Sequence, residues 1–456
     1  MITFSDTQFI FRFLPIFLAV YYIAPAEYRR LILLVASLFF YALGDPVFFV
    51  LLIVASLLNH MIGRDVARHK RSALALIVTV DVLMLVIFKA LGAFVSGSLL
   101  PVGISFYTFK MISYQADLYR GPVSSYPSPL DAITYFSMFP QIVSGPIMRY
   151  ADYAHTPAWH PSALKSTEEH RRTWLSCLED AAFYFCLGLG CKVLIADHLS
   201  YAWQAVGTIG YAHLSTPLAW LGVIIYSLNL YYDFWGYSLM AGAVGVAMGF
   251  PFIENFHHPY ASGSVGEFYR RWHMTLGQWF RDYLFIPLGG SRVHPLRVIF
   301  NYLVVWLATA LWHGFSLTFL VWGMSLCALI LWEKYVVSHI PLLKDILGRI
   351  HVLLLVPLTW IPFALDTWPQ VTGYFHRLFP FFNAPANVYA QDYVSILGQQ
   401  WLYLLFGLLG LIPAVYRFLR ANRRHPLVVL ILLLIFWLSV YSLSNAGDNP
   451  FLYFRF

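Results

Sequence analysis

Runs of apolar residues alternate with short polar loops along the whole chain. Membrane spans are predicted at residues 9–22, 31–43, 47–61, 73–93, 181–195, 217–231, 316–332, 351–365, 401–416 and 426–443. The runs are continuous and lack the strict alternation of a transmembrane β-barrel, so helices are the expected way for the backbone to satisfy its hydrogen bonds in lipid. Together with the apolar run around His313, this pattern predicts an all-α polytopic bundle of about 10–12 transmembrane helices.

Two stretches do not fit a simple span. They read PVGISFYTFKMISYQADLYRG (101–121) and FSMFPQIVSGPIMRY (136–150), with proline and glycine inside short apolar runs. Such backbone survives at membrane depth only where it is buried in protein or lines a wet cavity. Both stretches are therefore predicted to be re-entrant segments around a central cavity. In the span 73–93, Asp81 and Lys89 predict a face that is turned towards protein instead of lipid.

The composition excludes a soluble protein. Of the 456 residues, 59% are hydrophobic and 11% are charged, which leaves too little polar surface for a soluble globule of this size. No soluble domain or low-complexity linker is evident, so residues 1–456 are predicted to form one integral-membrane domain. The first span is expected to be retained, since residues 1–25 lack the basic start and the cleavage site of a signal peptide.

The distribution of charge predicts the topology. Basic residues concentrate in the loops 29–30, 64–71 and 417–424, which the positive-inside rule places in the cytoplasm, with both termini outside. The polar loop 151–172 is expected on the cytoplasmic side as well. The net charge of +7 is spread over short loops, which favours contact with anionic lipid headgroups and excludes a nucleic-acid patch. The four cysteines form no CxxC pair and no metal-ligand spacing.

The stretch from Glu267 to Gly323 holds the candidate chemistry. Its second half is an apolar run of roughly twenty residues, long enough to cross a bilayer, with His313 near its middle. An ionisable side chain at that depth is costly and predicts a functional site. The first half predicts an interfacial or cavity-lining segment that lies against this span. It mixes basic and aromatic residues: Arg270, Arg271, His273, Arg281 and Asp282 lie among Trp272, Trp279, Phe280 and Tyr283.

A series of short motifs then points to a family. In chain order they read PVGISFYTF with DLYRG, FPQIVSGPIMRY, DFWGYS, ENFHHPY, EFYRRWHMTL with RDYLFIPLGG, LWHG with VWG, and NPFLYFRF. Each motif alone is weak, but the ordered series resembles the membrane-bound O-acyltransferase (MBOAT) family, and within it the bacterial alginate O-acetyltransferase branch. The chain departs from that branch at Trp235 and Leu239, where a serine and an aspartate are usual, and at Thr275, where serine is usual. These departures predict a cavity shaped for a different acceptor or partner.

The resemblance implies that His313 is the general base of an acyl transfer. A hydroxyl that attacks a thioester must lose its proton, and a neutral imidazole, which burial favours, accepts a proton near pH 7. The alternative is a structural histidine that is hydrogen-bonded to a neighbouring helix. His273 has two open roles: it orients or polarises the reacting groups, or it packs under Trp272 and holds its segment in place. With about forty residues between the two histidines and no third ligand, no metal site is expected.

The remaining candidates concern the donor and the support of the site. Arg270, Arg271 and Arg281 are candidates for donor binding, because acyl-CoA and acylated carrier proteins present phosphate, which guanidinium binds in a bidentate fork. The alternative for these arginines is interfacial anchoring with snorkelling stems. Trp272 and Trp312 are expected to support the cavity.

Four further residues have more local expectations. Asp233 is expected to support the cavity by pairing with a central arginine, or to cap a helix, because an unpaired buried carboxylate would be neutralised or excluded. Glu267 is expected at the start of an amphipathic helix, where a carboxylate complements the helix dipole. His257 and His258 are expected in a loop, and lining of the donor entrance is the alternative.

The expected function is O-acetyl transfer at the bacterial inner membrane, with no bound cofactor and with acetyl-CoA or another acyl thioester as the cytoplasmic donor. The resemblance implies an exported polysaccharide such as alginate as the final acceptor, reached directly or through a periplasmic esterase-like (SGNH-hydrolase-like) partner. The alternatives are D-alanyl transfer to teichoic acid from a carrier protein, a transporter or flippase without covalent chemistry, and a scaffold for polysaccharide secretion.

Overall fold

The computed structural model describes residues 3–121, 126–143, 145–154, 167–340, 343–381 and 388–445. Within these residues the secondary structure is helical and no β-strand is present. The C-terminal motif NPFLYFRF and most of the polar loop 151–172 lie outside the described residues.

Eight of the described helices are long and apolar enough to cross a membrane, and the shorter helix Phe9–Ile23 is also apolar. The chain is an all-α polytopic membrane protein, as predicted. The other predicted spans, such as 31–43 and 217–231, correspond to helices outside this set of eight. The eight are Phe49–Ala67, Arg71–Phe94, Trp174–Ile209, Pro295–His313, Leu317–His339, Lys344–Ala364, Asp392–Gly410 and Pro426–Asn445.

The chain divides into two compact units. The first contains Met1–Gly188, Tyr237–Glu254 and Leu443–Phe454, and the second contains Leu189–Gly236, Asn255–Ser442 and Arg455–Phe456. The whole stretch 267–323 therefore belongs to the second unit. One integral-membrane domain over residues 1–456 stays a prediction.

Phenylalanine rings fill the core of the first unit. Phe9, Phe13 and Phe17 recur at a spacing of four, which places them on one face of the helical segment Phe9–Ile23. Their rings pack on Phe40 and Phe139, with ring centroids 5.3 Å apart for Phe13 and Phe40 and 5.1 Å apart for Phe17 and Phe139. The other helices of this unit are Arg29–Gly44, Phe49–Ala67, Arg71–Phe94, Ile104–Arg120, Pro129–Ser137, Phe139–Ile142, Tyr150–Ala154, and parts of Thr167–Gly190 and Thr216–Ala247.

The two charged residues of the span 73–93 are turned inwards, as predicted. Asp81 and Lys89 are buried, although only 17% of the span's most apolar window is buried. The Asp81 carboxylate accepts a hydrogen bond from the Asn59 amide at 2.9 Å, and the Asn59 amide oxygen accepts one from Gln115 at 2.9 Å. The inward face of this helix is thus fixed by buried hydrogen bonds, which are costly to leave unmade.

The two stretches predicted as re-entrant are buried and contact each other. The first forms the helix Ile104–Arg120, and the second is broken into short helices around Pro140. The Lys110 ammonium donates to the Gln141 amide oxygen at 2.8 Å and lies 4.6 Å from the centre of the Tyr135 ring. Their entry and exit on one side of the membrane stays a prediction.

The second unit holds most of the remaining helices. They are the second part of Trp174–Ile209, the first part of Thr216–Ala247, Val265–Arg271, Met274–Phe280 with its π-helical extension Arg281–Phe285, Pro295–His313, Leu317–Tyr335, Lys344–Ile350 continued through His351–Leu355 to Val356–Ala364, Trp368–Leu378, Asp392–Gly410, Pro413–Ala421 and Pro426–Asn445.

The predicted topology is testable at the two ends of the helix Phe49–Ala67. This helix has 19 residues, and at about 1.5 Å per residue it spans about the thickness of the hydrocarbon core. Exposed Val47 and exposed Arg68 flank it. We expect Val47→Cys to react with an impermeant thiol reagent on intact cells. Arg68→Cys should show no more labelling than the parent chain. The reverse labelling would invert the topology.

Candidate active site

His313 lies at a break between two helices. The helix Pro295–His313 ends at this residue, and Ser316 caps the next helix, Leu317–Tyr335, by accepting the Phe319 N–H at 3.2 Å. A Cβ atom on Gly314 would lie 2.7 Å from the Phe319 ring, so the close approach of this ring requires glycine. The apolar run is therefore two helices, and the expectation that His313 lies near the middle of one span is wrong.

Aromatic rings enclose His313. Its side chain is buried, and its ring centroid lies 4.5 Å from that of Trp312, 4.8 Å from Trp322 and 5.1 Å from Phe363. These neighbours come from three helices of the second unit. The imidazole is thus packed among aromatic side chains.

His273 is held in place by Asn255. His273 follows the helix Val265–Arg271 in a left-handed conformation, with φ 44° and ψ 54°. Its Nδ1 lies 3.1 Å from the Asn255 side-chain oxygen. The same oxygen accepts the Thr275 backbone N–H at 3.3 Å and the Thr275 hydroxyl at 3.0 Å. The Met274 backbone N–H donates to the Asn255 backbone carbonyl at 2.9 Å. Residues 273–275 are therefore held against Asn255.

These contacts define the tautomer of His273. A backbone N–H can only donate, so the Asn255 atom that receives it is the amide oxygen and Nδ1 of His273 must donate to it. In a neutral imidazole Nε2 is then the acceptor. Nε2 is buried without a hydrogen-bond partner among the described residues, and burial lowers the pKa of His273 to about 3. Neutral His273 can therefore accept a hydrogen bond at Nε2 but cannot donate one there.

Trp312 lies beside both histidines. Its ring centroid is 4.5 Å from that of His313 and 6.5 Å from that of His273. Trp272 is also buried nearby, stacked on Phe268 at 5.5 Å. The structure thus brings the two candidate histidines together around Trp312, whereas Trp272 packs on Phe268 and Trp360. A cavity at this place stays a prediction.

The three arginines lie in different surroundings. Arg271 pairs with Glu267 one turn earlier at 2.5 Å, and Arg281 pairs with neighbouring Asp282 at 2.7 Å. Arg270 is exposed and lies near Tyr302. Consecutive helical residues point about 100° apart, so Arg270 and Arg271 face different neighbours. Glu267 lies in the first turn of its helix, as expected, and its backbone N–H donates to the Ser264 hydroxyl at 3.1 Å.

Asp233 pairs with Lys192, a residue that the sequence analysis missed. The Lys192 ammonium lies 2.9 Å from Asp233 and 2.5 Å from Asp197, and all three side chains are buried. The expected ion partner was a central arginine. A lysine inside the predicted span 181–195 was the available signal, because a buried cation requires a buried counter-charge. Asp233 adjoins Phe234, whose ring lies 4.6 Å from His273. The ion pair therefore fixes the turn that packs on this histidine.

Comparison with known proteins identifies the family. The profile of the MBOAT, membrane-bound O-acyltransferase family, matches residues 122–376, which contain both histidines. The chain belongs to the membrane-bound O-acyltransferase family. It is therefore an acyltransferase enzyme of the membrane.

Relatives within the MBOAT family narrow the activity. The probable alginate O-acetylase AlgI of Pseudomonas putida is 32% identical, and the match covers 99% of this chain and 100% of the relative. That of Pseudomonas aeruginosa is 34% identical over 83% of this chain and 75% of the relative. The peptidoglycan O-acetyltransferase of Helicobacter pylori is 30% identical over 71% and 69%. The chain is accordingly a membrane O-acetyltransferase of the MBOAT family.

Proposed function

We propose that this protein transfers an acetyl group from acetyl-CoA, or from another cytoplasmic acyl thioester, to a hydroxyl group. The final acceptor of this acetyl group is an exported polysaccharide, which receives it directly or through a partner protein. The packing of His273 and His313 around Trp312 carries the proposal. The relatives are named for alginate and peptidoglycan, two polymers of the cell exterior, and this supports a polysaccharide as the final acceptor. A bacterial inner membrane is the location that fits a cytoplasmic donor and an exterior acceptor.

His313 is proposed as the general base. It accepts the proton of the attacking hydroxyl as the oxygen bonds to the thioester carbonyl carbon, and the thiolate then leaves and is protonated. His273 is proposed to accept a hydrogen bond at Nε2 and so to orient the attacking group. Polarising the carbonyl would require a donor at Nε2, which the hydrogen bond between Nδ1 and Asn255 disfavours.

The immediate acceptor is proposed to be a sugar hydroxyl or the serine of a periplasmic esterase-like partner. Both are hydroxyls, so the same base serves both. Trp235 stands where related motifs carry a small serine and is buried in the second unit. Its bulk supports an acceptor or partner that differs from that of the alginate branch.

Donor turnover tests the proposal directly. Purified full-length protein in lipid vesicles should release free CoA from acetyl-CoA when an acceptor is present, either a soluble polysaccharide or an esterase-like partner protein with an acceptor serine. Radiolabelled acetyl should then appear on that acceptor. The exposed-surface variant His339→Gln should behave as wild type, whereas His313→Gln should not. D-alanine transfer from a charged carrier protein without use of acetyl-CoA would support the teichoic-acid alternative. Movement of solute across the vesicle without CoA release would support a transporter.

A further inference from the structure

Another buried histidine, His258, lies outside the site described above. Its side chain is 7% exposed, and its backbone has φ 48°, in the left-handed region that is uncommon for a residue other than glycine. Its Nδ1 is buried and has no hydrogen-bond partner among the described residues. A buried polar atom without a partner is costly, so this nitrogen is a candidate for contact with a bound group.

Two aromatic rings form the wall beside His258. The ring of Trp235 lies 6.4 Å from it and the ring of Tyr416 lies 5.4 Å from it, and these two rings are 5.7 Å apart. Tyr416 belongs to the short helix Pro413–Ala421 and is its one buried residue. Arg417 follows Tyr416 in this helix and lies close enough for its charge to act on His258.

Basic residues lie close to His258. The ring of exposed His257 is 5.6 Å from that of His258, and the His257 N–H donates to the Arg271 carbonyl at 2.9 Å. Burial, and then the charges of His257, Arg417 and Arg271, lower the pKa of His258 to about 4. Burial disfavours any charge, but the positive charges of Arg417 and Arg271 that contribute to this shift also attract an anion. Glu267 balances part of the charge on Arg271, which leaves exposed Arg417 as the main cation at the rim.

We propose that His258, Arg271 and Arg417 form a phosphate-binding site. Guanidinium groups bind phosphate in bidentate fashion, and a neutral imidazole with the proton on Nδ1 adds a donor from the buried side. Arg417 belongs to the basic stretch 417–424, which is predicted to face the cytoplasm. Two sources supply the same chemistry there: a phosphorylated acyl donor, which rests on the proposed function, and the headgroup of an anionic lipid.

Binding of CoA and of pantetheine, which lacks phosphate, separates these possibilities. The measurement uses the purified full chain in discs of phosphatidylcholine. In Arg417→Gln the dissociation constant for CoA should rise at least ~10-fold, the lower end for loss of a hydrogen bond to a charged group, and that for pantetheine should not change. Arg271→Gln should weaken CoA in the same direction. Arg420→Gln removes an equal charge from the same exposed helix and should leave CoA binding unchanged.

The lipid source has its own readout. Discs that contain phosphatidylglycerol should leave more of this lipid bound to wild type than to Arg417→Gln if a headgroup fills the site, while the CoA affinities of the two proteins agree. Equal CoA affinity together with equal lipid retention in wild type, Arg417→Gln and Arg271→Gln would overturn the proposal. If Arg417→Gln loses CoA binding but the wild-type protein transfers no acetyl group, the phosphate site would be supported and the proposed function would be wrong.

Discussion

His313→Gln should transfer acetyl at least ~10²-fold more slowly than the wild-type chain, the lower end of what a positioned base contributes. Glutamine fills much of the imidazole volume and can hydrogen-bond, but it cannot accept the proton. The surrounding rings of Trp312, Trp322 and Phe363 do not depend on a charge at residue 313, so the variant should insert and fold. The measurement is the single-turnover rate of acetyl transfer at saturating donor, on protein shown to be monodisperse.

Two comparisons isolate the chemistry of His313. His339→Gln makes the same substitution at an exposed histidine of the second unit and should retain the wild-type rate. The wild-type rate should fall as the pH is lowered, because protonation of the imidazole removes the base. Transfer by folded His313→Gln at the wild-type rate would make this residue structural and move the search for the base to His273.

The helices were predictable because a membrane selects long apolar runs whatever their partners are. The inward orientation of Asp81 and Lys89 was also predictable, since charged side chains are costly in lipid. The break after His313 was harder to predict. Gly314 and Ser316 carry the signal for a helix end and a new cap, but the apolar run continues through them and hydropathy alone does not register the break.

The site was predictable in its residue types and not in its contacts. The motifs predicted His273, His313 and Trp312, and these residues do pack together. The contact between Asn255 and His273 depends on how two loop segments pack against each other. The spacing of hydrophobic residues along the chain does not predict such a contact. The partner of Asp233 was missed for the same reason. The sequence shows which residues are charged, but only the packing of the helices determines which of them form pairs.

The hydrogen bond from His273 to Asn255 allows a substitution that separates structure from chemistry. In His273→Asn, the side-chain amide nitrogen lies near the position of Nδ1 and can still donate to the Asn255 oxygen. Asparagine also tolerates the left-handed backbone that His273 adopts, with φ 44°. The variant should therefore fold and keep the loop in place, and what it loses is Nε2.

If Nε2 takes part in the reaction, His273→Asn should lower the rate of acetyl transfer by at least ~10²-fold while its melting temperature stays close to that of wild type. His273→Gln makes the opposite change, because its longer side chain reaches towards Nε2 but leaves Asn255 without the donor, so it should lower the melting temperature. His69→Asn is the matched control, since exposed His69 has a left-handed backbone as well, with φ 58°, and it should change neither quantity. Wild-type transfer by His273→Asn would assign His273 to the loop alone, because the hydrogen bond that this variant preserves would then be the whole of its contribution.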